Sequence, residues 1–141
     1  MNNIYKFLKE LKNLNFPLGE YVIVSSGSMA IRGIRECSDL DLLVSDSLFE
    51  ILSQKYPVIE MQNLSKVTIG NIECLHIKNN PEDLYPTERQ VREADLIEGF
   101  PFQNLETCVY FKEREGREKD LRDISLIKKF LDESCDLSTS S

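Results

Sequence analysis

Asp39 and Asp41 flank Leu40 at the start of an otherwise apolar stretch that ends at Val44. Along a strand, side chains two positions apart lie on one face, so both carboxylates would point the same way. Two carboxylates held this close repel each other and lose hydration unless a cation lies between them. Mg²⁺ prefers carboxylate oxygens shared with substrate phosphates. The spacing therefore predicts a divalent metal site on a strand.

A second apolar stretch, residues 21–24, is followed by two serines and then by Gly27 and Ser28, and ten residues separate Ser28 from Asp39. A strand that turns sharply into a helix presents backbone N–H groups that bind phosphate, and glycine allows the phosphate to come close. Turns of this kind are common in α/β proteins, so alone the motif is weak. Together, one feature would hold phosphate and the other the cation that neutralises it.

Glu73 is the candidate for a third carboxylate, on the second arm of a predicted hairpin. If that arm lies beside the strand of Asp39, Glu73 would face the same cleft. A third carboxylate would complete a site for two metal ions about 4 Å apart. The alternative is that Glu73 is an exposed glutamate on a strand, and the sequence favours neither interpretation over the other. Glu60 and Asp95 are poorer candidates.

Cationic residues could stabilise the charge of a departing pyrophosphate. The candidates are Lys112, Arg117 and Lys119 near the C-terminus, and Arg35, which lies just before Asp39. The alternative for the C-terminal run is a solvated helical face with ion pairs, which is the usual meaning of clustered charges.

Length and composition indicate one ordinary globular domain. The chain has 141 residues, of which 41% are hydrophobic and 29% charged. We predict a single domain over residues 1–134 and a disordered tail over 135–141. The formal net charge of -7 disfavours sequence-independent binding to nucleic acid. No apolar run is long enough for a membrane span and no secretion signal is visible, which predicts a cytoplasmic protein without membrane contacts.

Cysteine and histidine usage excludes several site types. The four cysteines have neither zinc-site nor redox-motif spacing, which favours reduced thiols in a cytosolic protein. His76 is the single histidine, so sites with several imidazole ligands are excluded. By alternation His76 would lie on the strand face opposite Glu73, which favours a structural role.

Apolar periodicity and turn residues predict the elements that position these residues. The predicted helices cover 4–14, 29–32, a segment capped by Asp46 or Ser47 and closed by Pro57, 87–94, 105–112 and 121–131. The predicted strands cover 21–24, 39–44 and 58–61, a hairpin of 67–69 with 72–77, and an extended segment over 96–102.

Residues 26–30 and 33–41 resemble the signature of nucleotidyltransferases of the DNA polymerase beta superfamily. The stretch is similar to small bacterial members, which include minimal nucleotidyltransferases and the abortive-infection toxin group. Leu105-Glu106, Lys112 and residues 116–124 look like the helix-turn-helix that closes many such domains. The resemblance covers most of residues 20 to 132.

The resemblance implies an α+β (α/β) fold, a mixed β-sheet flanked by helices like a polymerase palm. It implies Mg²⁺-dependent transfer of a nucleoside monophosphate from a nucleoside triphosphate, with Mn²⁺ as a possible substitute. Carried over by position, the triphosphate would lie on Gly27 and Ser28, and two metal ions would be held by Asp39, Asp41 and Glu73. Arg35, Lys112, Arg117 and Lys119 would lie near the phosphates.

The resemblance also leaves alternatives. Many family enzymes carry an additional helical substrate domain, whereas here almost nothing follows Leu131. The acceptor, whether a small molecule, tRNA or protein, could therefore lie on a partner or across a homodimer interface. A catalytically inactive module of the toxin–antitoxin type is the second hypothesis. A sugar-nucleotide glycosyltransferase, which also uses Asp-x-Asp, is a third, and the upstream Gly-Ser argues against it.

Overall fold

Six helices and seven strands make up the part of the chain that the computed structural model describes, residues 3–78 and 82–139, with 135–139 described as backbone. The helices are α1 (Ile4–Leu14), α2 (Ser26–Ile31), α3 (Asp46–Lys55), α4 (Thr87–Arg92), α5 (Leu105–Glu115) and α6 (Glu118–Thr139). The strands are β1 (Tyr21–Val24), β2 (Leu40–Val44), β3 (Ile59–Glu60), β4 (Ser65–Ile69), β5 (Ile72–His76), β6 (Asp95–Ile97) and β7 (Phe100–Phe102).

The strands form one mixed seven-stranded sheet in the order β3-β4-β5-β2-β1-β7-β6. Two pairings are parallel, β2 with β5 and β1 with β7, and the others are antiparallel. The coarse expectation of a mixed sheet flanked by helices is therefore confirmed. Because β2 pairs with β5, Asp41 and Glu73 lie side by side near the middle of the sheet.

One sheet face carries the main core. Helix α1 buries Ile4, Phe7, Leu8 and Leu11, a spacing that keeps one apolar stripe along its length. These side chains belong to the same buried cluster as Leu40 and other inward residues of β1, β2 and β5. The opposite face is covered less completely, since its buried cluster comprises only Val22, Val24 and Leu43 with a few half-buried neighbours.

The hairpin of β4 and β5 turns at Gly70 and Asn71, as the sequence predicts. Gly70 has a φ of 60°, a left-handed conformation that glycine adopts readily. The two-residue turn fixes the register, so that Ile69 pairs with Ile72 and Thr68 with Glu73. Glu10 of α1 accepts a hydrogen bond from the Asn71 amide at 2.9 Å, which ties the turn to the first helix.

Helix α2 begins at Ser26, so the predicted start at residue 29 is corrected. Gly27 and Ser28 lie in the first turn of the helix rather than in a turn before it. Helix α3 is capped by Ser45, whose hydroxyl accepts from the Leu48 amide, and not by Asp46 or Ser47 as predicted. A cap one residue earlier satisfies the same orphan amides at the helix start.

The two C-terminal helices are longer than predicted. Helix α5 ends at Gly116, whose amide donates to the Lys112 carbonyl in a left-handed C-cap. Helix α6 then continues to Thr139, past the predicted end at residue 131. The predicted single domain over residues 1–134 and the predicted disordered tail over 135–141 stay predictions, although the backbone of residues 135–139 continues α6. Residues 140 and 141 lie outside the described residues.

Two further expectations concern composition. Cys37, Cys74 and Cys108 are buried and free, as their spacing predicts, and the side chain of Cys135 lies outside the described part. Among the described helices, none combines the length and the apolar character that crossing a membrane requires.

Candidate functional site

Asp41 and Glu73 are register partners on the neighbouring parallel strands β2 and β5. Paired residues point to the same face of a sheet, so the two carboxylates lie side by side. Asp39 comes two residues before Asp41, directly ahead of β2, and alternation directs it to the same face. The structure thus brings together the three carboxylates that the sequence singles out, on the less covered face of the sheet. We call Asp39, Asp41 and Glu73 the carboxylate cluster.

The surroundings of Asp41 in the carboxylate cluster make its ionisation unfavourable. Burial raises the pKa of Asp41, and the nearby charges of Asp39 and Glu73 raise it further, to about 6 against an ordinary 3.8. Lys66 is the cation that opposes this rise. A half-buried carboxylate next to two others gains by binding a cation, which is the condition that predicts a metal site.

Lys66 of β4 reaches across the hairpin to the cluster. Its Nζ lies 3.0 Å from Oε2 of Glu73, and the two side chains are 25% and 21% exposed. Thr68 is the register partner of Glu73, and Lys66 is two positions from Thr68 on the same face. The contact is therefore the diagonal cross-strand pair that a two-stranded antiparallel ladder brings within reach.

The donor chemistry of the cluster suits Mg²⁺ in part. Asp39 and Asp41 offer carboxylate oxygens, the ligand type that Mg²⁺ and Mn²⁺ favour. As the side chains stand, however, no group of three or more histidine, cysteine or acidic residues within residues 3–78 and 82–139 is placed to hold a metal ion together. The third carboxylate, that of Glu73, is instead paired with Lys66, whose ammonium neutralises its charge.

Gly27 is needed for close packing of α2 on the sheet. A Cβ at this position would lie 2.6 Å from Ile23 Cγ2 and 3.0 Å from Leu40 Cδ1. The missing side chain thus lets the helix approach β1 and β2, which differs from the predicted role of admitting a phosphate. That phosphate role stays a prediction.

Ser28 is fully buried, and its hydroxyl is engaged within the protein. The hydroxyl donates to the Gln103 carbonyl at 2.5 Å and accepts from Nη1 of Arg32 at 2.6 Å. Arg32 in turn pairs with Asp95 at 2.6 Å. A phosphate would therefore have to displace an existing contact before it could use this hydroxyl.

The turn before α2 is strained and is held by a glutamine. Ser25 has a φ of 58°, a conformation that residues other than glycine seldom adopt. Its amide donates to Oε1 of Gln103 at 3.0 Å, and Nε2 of Gln103 donates to Gln90. Such strain persists only where surrounding contacts over-determine it, and it is frequent at functional sites.

Two of the predicted phosphate contacts meet at one aspartate. Asp123 accepts from Nε of Arg35 at 2.8 Å and from Nζ of Lys112 at 2.9 Å. Burial by itself raises the pKa of Asp123, but the hydrogen bonds from Arg35 and Lys112 outweigh it, so the pKa is lowered. Both cations therefore already have a carboxylate partner. Their contacts link the loop after α2 with α5 and α6.

Arg117 and Lys119 lie at the start of α6. Arg117 Nε contacts Asp120 at 2.7 Å, and the Arg117 side chain is 57% exposed. Its amide also donates to Asp120, which helps to satisfy the helix start. Lys119 is exposed on the helix. These two cations remain accessible from solvent, unlike Lys112.

An apolar cleft of about 190 Å³ lies on the same sheet face as the carboxylate cluster. Val24, the β1 partner of Asp41, forms part of its floor, and Arg117 lies at its wall. Other lining residues are Leu43, Leu75, Phe111 and Lys112. The cleft is thus bounded by the strands that carry the cluster and by the helices that carry the candidate phosphate contacts.

A second cavity, of about 640 Å³, lies at the opposite end of β1 and β2, where Glu20, Ser45 and Asp46 line it. Nearby, His76 contacts Asp46 at 2.6 Å and stacks on Phe49 with ring centroids 4.7 Å apart. His76 therefore packs on the face away from Glu73, as alternation predicts.

The sequence interpretation missed Lys66, Gln103 and Asp123 as parts of this region. Lys66 could have been found, because the two-residue turn at Gly70 fixes which β4 residues flank Glu73. Gln103 contacts Ser28 across 75 positions and Asp123 contacts Arg35 across 88, and no local pattern signals contacts at that separation.

Comparison with protein-family models and with curated proteins finds no match for this chain. The resemblance in residues 26–41 therefore stays a prediction.

Proposed function

We propose that this protein is a nucleotidyltransferase that moves a nucleoside monophosphate from a nucleoside triphosphate to a hydroxyl acceptor. The observation that carries the proposal is the register of Asp41 with Glu73 on parallel strands, with Asp39 two residues before Asp41. A sheet gains nothing in packing from adjacent carboxylates, and burial together with the neighbouring charges of Asp39 and Glu73 raises the pKa of Asp41. Residues kept in such an arrangement commonly serve chemistry.

In this proposal Asp39 and Asp41 hold Mg²⁺ and orient the triphosphate beside it. Mg²⁺, when bound, supplies positive charge to the triphosphate and lowers the pKa of the acceptor hydroxyl. The acceptor oxygen attacks the α-phosphorus, the bond to pyrophosphate breaks, and Glu73 would take up the hydroxyl proton. The apolar cleft beside Val24 would take the nucleoside or the acceptor, and Arg117 and Lys119 are the accessible cations for the departing pyrophosphate.

Asp41→Asn tests this proposal most simply. We expect the variant to lose pyrophosphate release from nucleoside triphosphates by roughly 100-fold or more, since one oxygen ligand becomes an amide that cannot carry the charge. Asp132→Asn, an exposed change on α6, is the matched control and should keep the rate. Pyrophosphate release would be followed with each of the four nucleoside triphosphates and Mg²⁺, with small hydroxyl compounds, tRNA and protein offered in turn as the acceptor. Equal rates in wild type and Asp41→Asn, or no release by wild type with any of these acceptors, would refute the proposal.

A second candidate is a nucleotidyltransferase-like module that binds a nucleotide or a protein without catalysis. Three groups that an enzyme would use already have partners within the protein, which favours this candidate. Glu73 is paired with Lys66, Ser28 with Gln103, and Lys112 with Asp123. Calorimetry with ATP, CTP, GTP and UTP, with and without Mg²⁺, separates the candidates. Metal-dependent binding with pyrophosphate release supports the enzyme, and binding without release, or no binding, supports the module.

A further inference from the structure

Lys66 is fixed in place by strands on both sides. Strand β4 lies between β3 and β5, and Lys66 pairs with Ile59 on one side and Leu75 on the other. Its backbone therefore has little freedom, and its ammonium reaches Glu73 at 3.0 Å from a defined position. The half-buried setting keeps this ion pair from being fully screened by water.

The other candidate cations near the carboxylate cluster have different partners. Arg35 and Lys112 both contact Asp123, and Arg32 contacts Asp95. The ammonium of Lys66 is thus the positive charge that the fold itself brings to the cluster. Three ionised carboxylates carry three negative charges, which one divalent ion together with one ammonium would balance.

We propose that Lys66 takes the place of a second metal ion, so that the cluster binds a single divalent cation through Asp39 and Asp41. Glu73 remains paired with Lys66 and is not a metal ligand. A second dication at Glu73 would lie close to the ammonium, and the repulsion between them would exclude it. Lys66 is accordingly a positioning residue, because it holds Glu73 beside the metal site. This inference rests on the proposed function and replaces the two-ion expectation from the sequence.

Counting bound Mn²⁺ tests the proposal without turnover. Free Mn²⁺ would be measured by electron paramagnetic resonance as it is titrated into the wild-type chain and into Lys66→Met, without nucleotide. We expect one Mn²⁺ per wild-type chain and two per Lys66→Met chain, since Glu73 is then free to bind. Lys9→Met, an exposed lysine on α1, removes the same charge elsewhere and should leave the count at one.

Two or zero Mn²⁺ in wild type, or one in folded Lys66→Met, would overturn the proposal. Should Lys66→Met fail to fold, Lys66→Arg and Glu73→Gln test the proposal in its place. Each of these variants must bind one Mn²⁺ per chain if the proposal is right. A Glu73 that ligates a second ion would instead give a fall from two to one in Glu73→Gln. A chain with the expected counts but no pyrophosphate release with any of the offered acceptors would refute the proposed function alone, and a chain with release and two Mn²⁺ would refute this inference alone.

Discussion

At the scale of single residues, Asp41 is the position where folding and the proposed chemistry oppose each other. Below pH 3.8 its carboxyl is protonated in both the folded and the unfolded chain, and no penalty arises. Above about pH 6 it is ionised in both, and only the folded chain holds the charge in a half-buried position beside two other carboxylates. The free energy of unfolding should therefore fall as pH rises through this window.

We predict that Asp41→Asn stabilises the metal-free protein at neutral pH. The raised pKa corresponds to at most about 3 kcal/mol, and we expect a gain of about 1–3 kcal/mol at pH 7.5. Urea unfolding in the presence of a chelator, at pH 4 and pH 7.5, measures it. The variant should differ from wild type far less at pH 4 than at pH 7.5. A variant less stable than wild type at both values would contradict the electrostatic account.

Single residues were predictable where a local rule applied. Alternation places Asp39 and Asp41 on one face, and the two-residue turn places Glu73 opposite Thr68. The engagement of Ser28 with Gln103 was not predictable, because it depends on how β7 lies against β1. The sequence thus predicted that Asp39 and Asp41 share a face, but not which side chains already have partners within the fold.

At the scale of elements, α2 is positioned by the absence of a side chain at Gly27. Glycine disfavours a helix, and on propensity alone these residues would form a turn. Contact with β1 and β2 overrides the propensity, since any Cβ would meet Ile23 and Leu40. For this reason the helix begins earlier than the local pattern indicates.

We predict that Gly27→Ala destabilises the fold by about 1–3 kcal/mol, although alanine is the better helix former. The Cβ would lie 2.6 Å from Ile23 Cγ2, so the helix or the strand must shift. Chemical denaturation measures the loss, and a double-mutant cycle with Ile23→Ala supplies the control. The penalty should shrink in the Ile23→Ala background, and an undiminished penalty would rule out this contact as its cause.

The junction of α5 and α6 depends on Asp123. We predict that Asp123→Ala lowers the free energy of unfolding by about 3 kcal/mol at pH 7, because it leaves Lys112 buried without its partner. Asp132→Ala, on the exposed side of the same helix, should change it by less than about 0.5 kcal/mol. Thermal and urea unfolding of the two variants provide the comparison. Equal stability of the two would show that the buried pair contributes nothing.

The lowered pKa of Asp123 gives this junction a pH dependence of its own. Its contribution to stability is present above the ordinary pKa of 3.8 and is lost as pH falls through the lowered value. The sign is opposite to that of Asp41. Lowering the pH should therefore weaken the contacts that join α5 and α6 at Asp123. The same change should reduce the repulsion among the carboxylates of the cluster.

At the scale of the whole molecule, the strand order could not be predicted from the sequence. The pattern predicts most strands and the β4–β5 hairpin, but the parallel pairings of β2 with β5 and β1 with β7 join segments far apart in the chain. Long-range pairing depends on total burial rather than on any local signal. The site exists only because of one such pairing, which brings Glu73 beside Asp41.

We predict that divalent cations stabilise the whole domain through this cluster. At a Mg²⁺ concentration ten times the dissociation constant the gain would be about 1.4 kcal/mol, or a rise in Tm of roughly 4 °C. Differential scanning fluorimetry with MgCl₂, against NaCl at the same ionic strength, measures it. The rise should be absent in Asp41→Asn, and an equal rise in that variant would assign the effect to other carboxylates.

The most direct measurement of the central claim is a crystal structure with Mn²⁺ and a non-hydrolysable nucleoside triphosphate, with anomalous scattering recorded for Mn²⁺. The account predicts an anomalous peak within bonding distance of Asp39 and Asp41, with the triphosphate beside it and the nucleoside toward the cleft of Val24. A peak elsewhere, or a nucleotide bound away from these carboxylates, would contradict it.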